Sequence, residues 1–222
     1  MQNQISFLKS GLLLSLIVAY SPLGLAVDSQ TQKPNSQSQK KSGEVKESSL
    51  FPKCSMFSDK SKQRAIKESE ENDLDQEVEF ILISKSRRKM IVFSKDEILK
   101  QYSVSLGFTP KGHKVEEGDG RTPEGLYQVE YKLKRSQFHR ALKISYPNQR
   151  DLSIARSLGV EAGGNVMIHG EPSTDEKKAL LREMKAERGQ VDWTHGCVAI
   201  GDDEITEVFD NVKENTPIRI CP

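Results

Sequence analysis

From Glu77 onward the chain is written in short apolar runs, and their length is what most restricts its fold. The runs "EVEFILIS", "KMIVFS", "ILKQYSVSLG", "GLYQVEYKL" and "LKISYP" are rich in β-branched and aromatic residues. Each has the length of a strand and is bounded by Gly, Pro, Asp or a charged pair. Arg87-Arg88 and the "SKDE" at Ser94 to Glu97 mark the first two turns, and "EEGDGRTPEG" (Glu116 to Gly125) reads as a longer loop closed by a Pro-Glu-Gly turn. This texture predicts a mainly β domain over residues 75–222.

Helical patterns interrupt it in three places. Arg150 to Gly159 puts Leu152, Ile154, Ala155 and Leu158 near one face and stops at a glycine. Ser173 to Gly189 has a cap in Ser173 or Thr174, acids in its first turn, a stripe of Leu180, Leu181 and Met184, and a terminal glycine. The third pattern starts with Asp202 as cap and turns Ile205, Val208, Phe209 and Val212 inward.

The N-terminus reads differently. Lys9, the apolar "GLLLSLIVAY" and the small residues Gly24 and Ala26 predict a secretory signal peptide over residues 1–26. Its apolar core is about ten residues, against the roughly twenty that span a bilayer, so no stable membrane span is expected after cleavage. Residues 27–74 read as a flexible tether, Ser-, Gln- and Lys-rich to about residue 50, with a marginal surface helix between Ser58 and Asn72. The expected location is periplasmic or otherwise extracytoplasmic. With 33 basic and 32 acidic residues, nothing in the charge points to nucleic acid or an anionic membrane.

Three cysteines in an exported chain leave at least one thiol unpaired. A Cys54–Cys221 bridge would pin the N-terminal segment to the last strand and spare Cys197; the other pairings would consume it. Cys197 follows Thr194-His195-Gly196, and a second His-Gly pair, His169-Gly170, ends the apolar run "NVMIHG". A thiol needs a base or cation nearby to act as nucleophile, and an imidazole supplies one. The glycine before the cysteine lets backbone N–H groups approach a developing oxyanion. Zinc is the competing use of His195, Cys197, His169 and His113, although neither a CxxC nor a HExxH arrangement is present. Taken singly, His113 and His139 read as surface or hydrogen-bonding residues, and His169 as a core histidine.

The order His, then Cys, excludes papain-like peptidases, and "DWTHGC" lacks the sortase signature. At "IHG" followed by "THGC" the sequence resembles the L,D-transpeptidase (YkuD-like) catalytic family, in its murein L,D-transpeptidase-like periplasmic subgroup. The blocks "LGFTPKGHKVEEGDGRTPEGLYQV", "SYPNQRD", "GGNVMIHGEPS", "DWTHGCVAI" and "NTPIRI" extend the resemblance over roughly residues 78–220. It implies a β-sandwich of mixed sheets with a few helical insertions. It also implies Cys197 as nucleophile, His169 as general base and acid, the Gly170 carbonyl orienting His169, and the N–H groups of Gly196 and Cys197 as oxyanion hole. His195, Thr194, Trp193 and Arg121 are the implied substrate contacts, and neither a metal nor an organic cofactor is required. The implied partners are peptidoglycan stem peptides and a wall-linked lipoprotein, in cell-wall biogenesis and cell shape. The implied reaction is 3→3 cross-linking or protein–stem linkage through a thioester. Hydrolysis of the same stem or lipoprotein–stem bond is the alternative, and a non-catalytic wall-binding module the remote one. A catalytic role predicts fast alkylation of Cys197 at neutral pH. Two departures stand out: Ala199 replaces the Arg or Asn of the commoner pattern, with Arg121 or Arg156 as candidate substitutes, and the spacer between His169 and Cys197 is long. That spacer would serve as a lid or as part of an acceptor site.

Overall fold

The computed structural model describes residues 51–71 and 73–222. The expected signal peptide, and the tether up to residue 50, lie outside the described residues. The strands are β1 (Phe80–Ser84), β2 (Lys89–Ser94), β3 (Glu97–Ser103), β4 (Gly125–Ser136), β5 (His139–Ile144), β6 (Met167–His169), β7 (Val198–Ala199) and β8 (Pro217–Cys221). Among the described residues they form one mixed sheet in the order β3-β2-β1-β8-β4-β5-β6-β7. The expected pair of mixed sheets is therefore continuous, and β4 is the reason. Its first residues, Gly125 to Gln128, pair with β8, while Val129 to Ser136 pair with β5 across a register shift. One long strand thus serves both halves, with an irregularity where it changes partner. Beyond β3, Ser105 bridges Ala199 of β7, so the two ends of the strand order meet.

Burial explains why β1 reads as an unbroken apolar run. Ile81 and Ile83 join the main core with Val92, Leu106, Val129, Ile168, Val198 and Ile220. Phe80 and Leu82 face the other way, into a second cluster with Phe57, Ile66, Ile91, Phe93 and Cys221. A strand covered on both faces has no polar side to alternate with.

Four helices are described: α1 (Lys60–Glu68), α2 (Gln149–Leu158), α3 (Asp175–Arg188) and α4 (Asp202–Asn211). Helix α4 buries Ile205, Val208 and Phe209 as its pattern predicts, and Lys132 Nζ accepts the negative end of its dipole by donating to the carbonyls of Phe209 and Val212. Its N-cap is Gly201, not Asp202, whose carboxylate instead accepts the Glu171 N–H at 2.8 Å. On α3 no side-chain cap forms at Thr174, and Ser173 Oγ accepts the N–H of His139. Its expected stripe is only partly used, since Leu181 is buried and Leu180 is exposed. Helix α2 likewise buries Asp151 and Ala155 while Leu158 stays exposed.

The segment before β1 is more firmly held than a marginal surface helix. Phe57 and Ile66 are buried against the sheet, Phe51 stacks on Phe80 at 5.0 Å, and a disulfide joins Cys54 to Cys221 of β8. Each buried apolar side chain contributes roughly 1.5–3 kcal/mol. The disulfide closes a loop of 167 residues, for which loop entropy predicts a contribution of about 2–5 kcal/mol. We expect Cys54→Ser to lower stability by that order, measured by urea unfolding, and to open residues 51–71 to limited proteolysis while 79–220 stays protected.

Candidate active site

Strand pairing sets the position of the two candidate catalytic side chains. β6 ends at His169, and β7 begins immediately after Cys197. The two strands run parallel with Ile168 opposite Val198 and His169 opposite Ala199. Carried back one residue, that register sets Cys197 opposite Met167. Two-residue alternation then places Cys197 and His169 on the same face.

His169 is buried and oriented. Its Nδ1 lies 2.7 Å from the carbonyl oxygen of Gly170. A carbonyl can only accept, so Nδ1 carries the proton and Nε2 keeps its lone pair. Burial lowers the imidazole pKa to about 4, only partly opposed by the Gly170 carbonyl, so the ring is neutral at pH 7. Two aromatic rings fix its plane: Phe138 stacks on it at 4.4 Å, and the edge of Trp193 meets it at 5.7 Å. Gly170 is required by close packing, because a Cβ there would lie 2.5 Å from Asp202 Oδ1.

Cys197 is the free cysteine among the described residues, and it is half-buried. Its Sγ donates to the Asn165 carbonyl at 3.6 Å, which puts the resting proton on sulfur. Burial pushes the thiol pKa up; the Met167 N–H and the charges of Lys114 and Lys143 pull it back. Both lysines are buried. Lys114 Nζ is held by Asp119 Oδ1 and the Glu116 carbonyl, each at 2.9 Å, and Lys143 Nζ by the carbonyls of Ile144 and Tyr146. On the sulfur side, Asn165, Lys143, Glu130 and Tyr146 line a cleft of about 300 Å³.

Gly196 has φ +130°, and a Cβ there would lie 2.6 Å from the Arg121 carbonyl oxygen. Only glycine fits that approach. Its N–H donates to Thr194 Oγ1 at 3.1 Å, and Thr194 Oγ1 in turn donates to the Cys197 carbonyl at 2.8 Å. Thr194 therefore fastens the turn that carries the thiol. The Gly196 N–H has an acceptor already and must exchange it to meet an oxyanion.

The remaining candidates divide. Trp193 sits against His169, whereas His195 is exposed and meets Phe108 edge-on at 5.4 Å. Arg121 touches Gly196 through its backbone, while its buried Nε has no hydrogen-bond partner. Arg156 is exposed on α2. The zinc set does not assemble: His113 faces Asp151 at 3.2 Å, and among the described residues no group of three or more His, Cys, Asp or Glu is placed to hold a metal ion. The sequence reading missed Phe138, Asn165, Lys114 and Lys143. A lysine inside the apolar run "LKISYP" is the one signal that marked any of them.

Burial, which raises the thiol pKa, favours slower alkylation of the resting protein than a catalytic role alone implies. Iodoacetamide should modify Cys197 at pH 7 more slowly than a free model thiol, with the rate climbing past the usual thiol range. Lys114→Met should slow it further, by up to about tenfold, the worth of one pH unit in thiolate fraction. A wild-type rate above that of the model thiol would contradict the protonated resting state.

The sequence model of the YkuD L,D-transpeptidase catalytic domain matches residues 79–220. Among solved structures, the helical cell shape determining protein Pgp2 of Campylobacter jejuni is 21% identical with a TM-score of 0.47, over 72% of this chain and 54% of that one. Bd1075 of Bdellovibrio bacteriovorus is 23% identical with a TM-score of 0.45, over 65% and 48%. An L,D-transpeptidase from Mycobacterium smegmatis is 15% identical with a TM-score of 0.43, over 65% and 59%. The chain thus spans about half the length of the solved structures it matches. No curated protein matches it. With nearly all of its sheet inside the matched residues, the chain belongs to the YkuD family of L,D-transpeptidase catalytic domains.

Proposed function

We propose that this protein is a peptidoglycan L,D-transpeptidase that acts through a thioester on Cys197, with His169 as its general base and acid. The observation that carries the reading is the state of His169: a neutral imidazole whose Nδ1–H is fixed by Gly170, leaving the Nε2 lone pair unprotonated, on the strand face that also carries the thiol.

The thiol proton passes from Sγ to Nε2 as sulfur attacks the carbonyl between the third residue's L-centre and the terminal D-amino acid. The N–H groups of Cys197 and Gly196 receive the oxyanion, the latter by leaving Thr194 Oγ1. Nε2 returns the proton to the departing amine, and the thioester remains. A side-chain amine of a second stem, or a lysine of a wall-linked lipoprotein, then attacks the thioester carbonyl. The new amide forms, the C–S bond breaks, and the proton returns to sulfur. Water as acceptor gives an L,D-carboxypeptidase or amidase from the same machinery. No step calls for a metal or organic cofactor. The Cys54–Cys221 disulfide supports an extracytoplasmic location, where such bonds persist, and among the described residues no helix is long and apolar enough to cross a membrane.

The test is mass spectrometry of products from purified tetrapeptide muropeptides. A cross-linked dimer lacking one D-alanine is expected, and Cys197→Ala should yield none. Tripeptide alone would reassign the activity to hydrolysis. No product, from this or from lipoprotein-linked muropeptide, would leave the inert wall-binding reading. His169→Ala should lower kcat/KM by about 10²–10⁴-fold while leaving the thiol accessible to alkylation.

The acid limb of activity follows from the same burial. A base must be unprotonated to act, and a lowered pKa keeps it so at lower pH. The acid limb of kcat/KM should therefore fall near pH 4, not near the 6.5 of a free imidazole. A half-maximal point above pH 6 would contradict the buried neutral ring.

A further inference from the structure

The stretch just ahead of the family-matched residues 79–220 is divided by charge. Residues 60–67, "KSKQRAIK", carry four cations and no acid; residues 68–78, "ESEENDLDQEV", carry six acids and no cation. Blocks of like charge repel themselves and often serve contacts with the opposite sign. We propose that this stretch is a self-association surface. A second copy of this chain docks on it about a two-fold axis, the basic groove of each copy against the acidic groove of the other.

The fold turns the two blocks into two grooves. The basic one, of about 690 Å³, lies between α1 and the β2–β3 pair. Arg64, Lys67, Arg87 and Lys89 line it over Phe57 and Ile66, and no carboxylate does. Arg64 pairs with Glu68 at 2.7 Å, and Lys89 Nζ donates to Ser103 Oγ at 3.2 Å. Lys67 and Arg87 are exposed, and among the described residues neither has an acidic partner. The acidic groove, of about 310 Å³, follows directly in the chain. Asp73, Asp75 and Glu97 line it with Leu74, Ile98 and Leu99, and no cation does. All three carboxylates are exposed and, among the described residues, without a basic partner.

Their relation suits a two-fold contact. Both grooves reach β3, at one end of the strand order, the basic one at Gln101 and the acidic one at Glu97 to Leu99. Glu97 and Gln101 are four residues apart, about 13 Å at the usual rise of a strand. Ile98 and Gln101 stand opposite Phe93 and Ile91, both in the second apolar cluster, so each groove has a wall on that face. Two patches of opposite sign, side by side on one face, become complementary to themselves after a half-turn, and the pair closes. An anionic partner of another kind would satisfy the basic groove alone; a second copy satisfies both. The Cys54–Cys221 bond and the buried Phe57 and Ile66 already hold α1 to the sheet, so docking does not have to order it. The proposal does not depend on the chemistry at Cys197.

The experiment is sedimentation equilibrium of the full chain over a concentration series. A monomer–dimer equilibrium is expected, weakened by about tenfold or more between about 0.01 M and 1 M salt, as the screening length falls from roughly 30 to 3 Å. Lys67→Glu with Arg87→Glu, and separately Asp73→Lys with Asp75→Lys, should each weaken the dimer by about tenfold or more in low salt, with thermal melts verifying the fold. Mixed in equal amounts, the two variants should associate more tightly than either does alone, because one groove pair is then native and the other has its signs exchanged. A monomer at every concentration in low salt, a dimer indifferent to both charge reversals, or mixing that restores nothing overturns the proposal. Growth beyond two copies overturns the two-fold, since a head-to-tail contact does not close on a pair. The salt series on the wild type decides even where a variant fails to fold.

Discussion

The Cys197 thiol is positioned by three backbone segments that meet with no side chain between them. A Cβ on Gly107 would fall 2.1 Å from the Gly120 carbonyl oxygen and 3.0 Å from Gly196 Cα. Around that contact the Phe108 N–H reaches the Thr194 carbonyl at 2.9 Å, and the Thr109 N–H reaches that of Gly120 at 3.0 Å. The Gly107 N–H is taken by Thr122 Oγ1 at 3.1 Å. The loop before β4, the strand extension after β3 and the turn before β7 are thus one unit. No part of it can relax without moving Cys197, and such rigidity is what preorganised donors need. Lys85, buried beneath with its Nζ on the Thr122 carbonyl and Glu124, adds a fixed charge to the same loop.

Burial acts on the thiol and the imidazole in the same sense. It lifts the thiol, lowers the imidazole, and so favours the neutral pair over a thiolate–imidazolium pair. A protonated thiol is a poor target for oxidants, which accounts for a free cysteine surviving in a protein that also holds a disulfide. The cost is a thiol that is a weak nucleophile at rest. Lys114 and Lys143 oppose that effect as buried positive charge, fixed in place because both ammonium groups are tied to carbonyl or carboxylate oxygens.

The strands were legible because β-branched runs bounded by turn residues have few other uses. Helix positions were legible too, but not which faces they bury. Leu158 and Leu180 look like core residues by period, yet both are exposed, because the sheet offers α2 and α3 only narrow contacts. Cys197, His169 and their glycines were marked by a motif. Phe138 was not: it sits at a hairpin tip, and only the fold carries it across to His169. Lys114 was hidden for a similar reason, since a lysine in a polar loop reads as solvated until the Asp119 side chain closes over it.

Two additions to the sheet are fastened in different ways, and the difference bears on what each can do. The segment at residues 51–71, ahead of the family-matched 79–220, is joined by a covalent bond and buried aromatic rings. It is fixed at any ionic strength. Helix α3 is anchored by Leu181 and by two partly exposed ion pairs, Lys178–Asp202 at 2.5 Å and Lys185–Glu171 at 2.8 Å. Ion pairs of that exposure contribute little and weaken with salt. The wall beside His169 is therefore the adjustable one, while the thiol stands on the rigid frame.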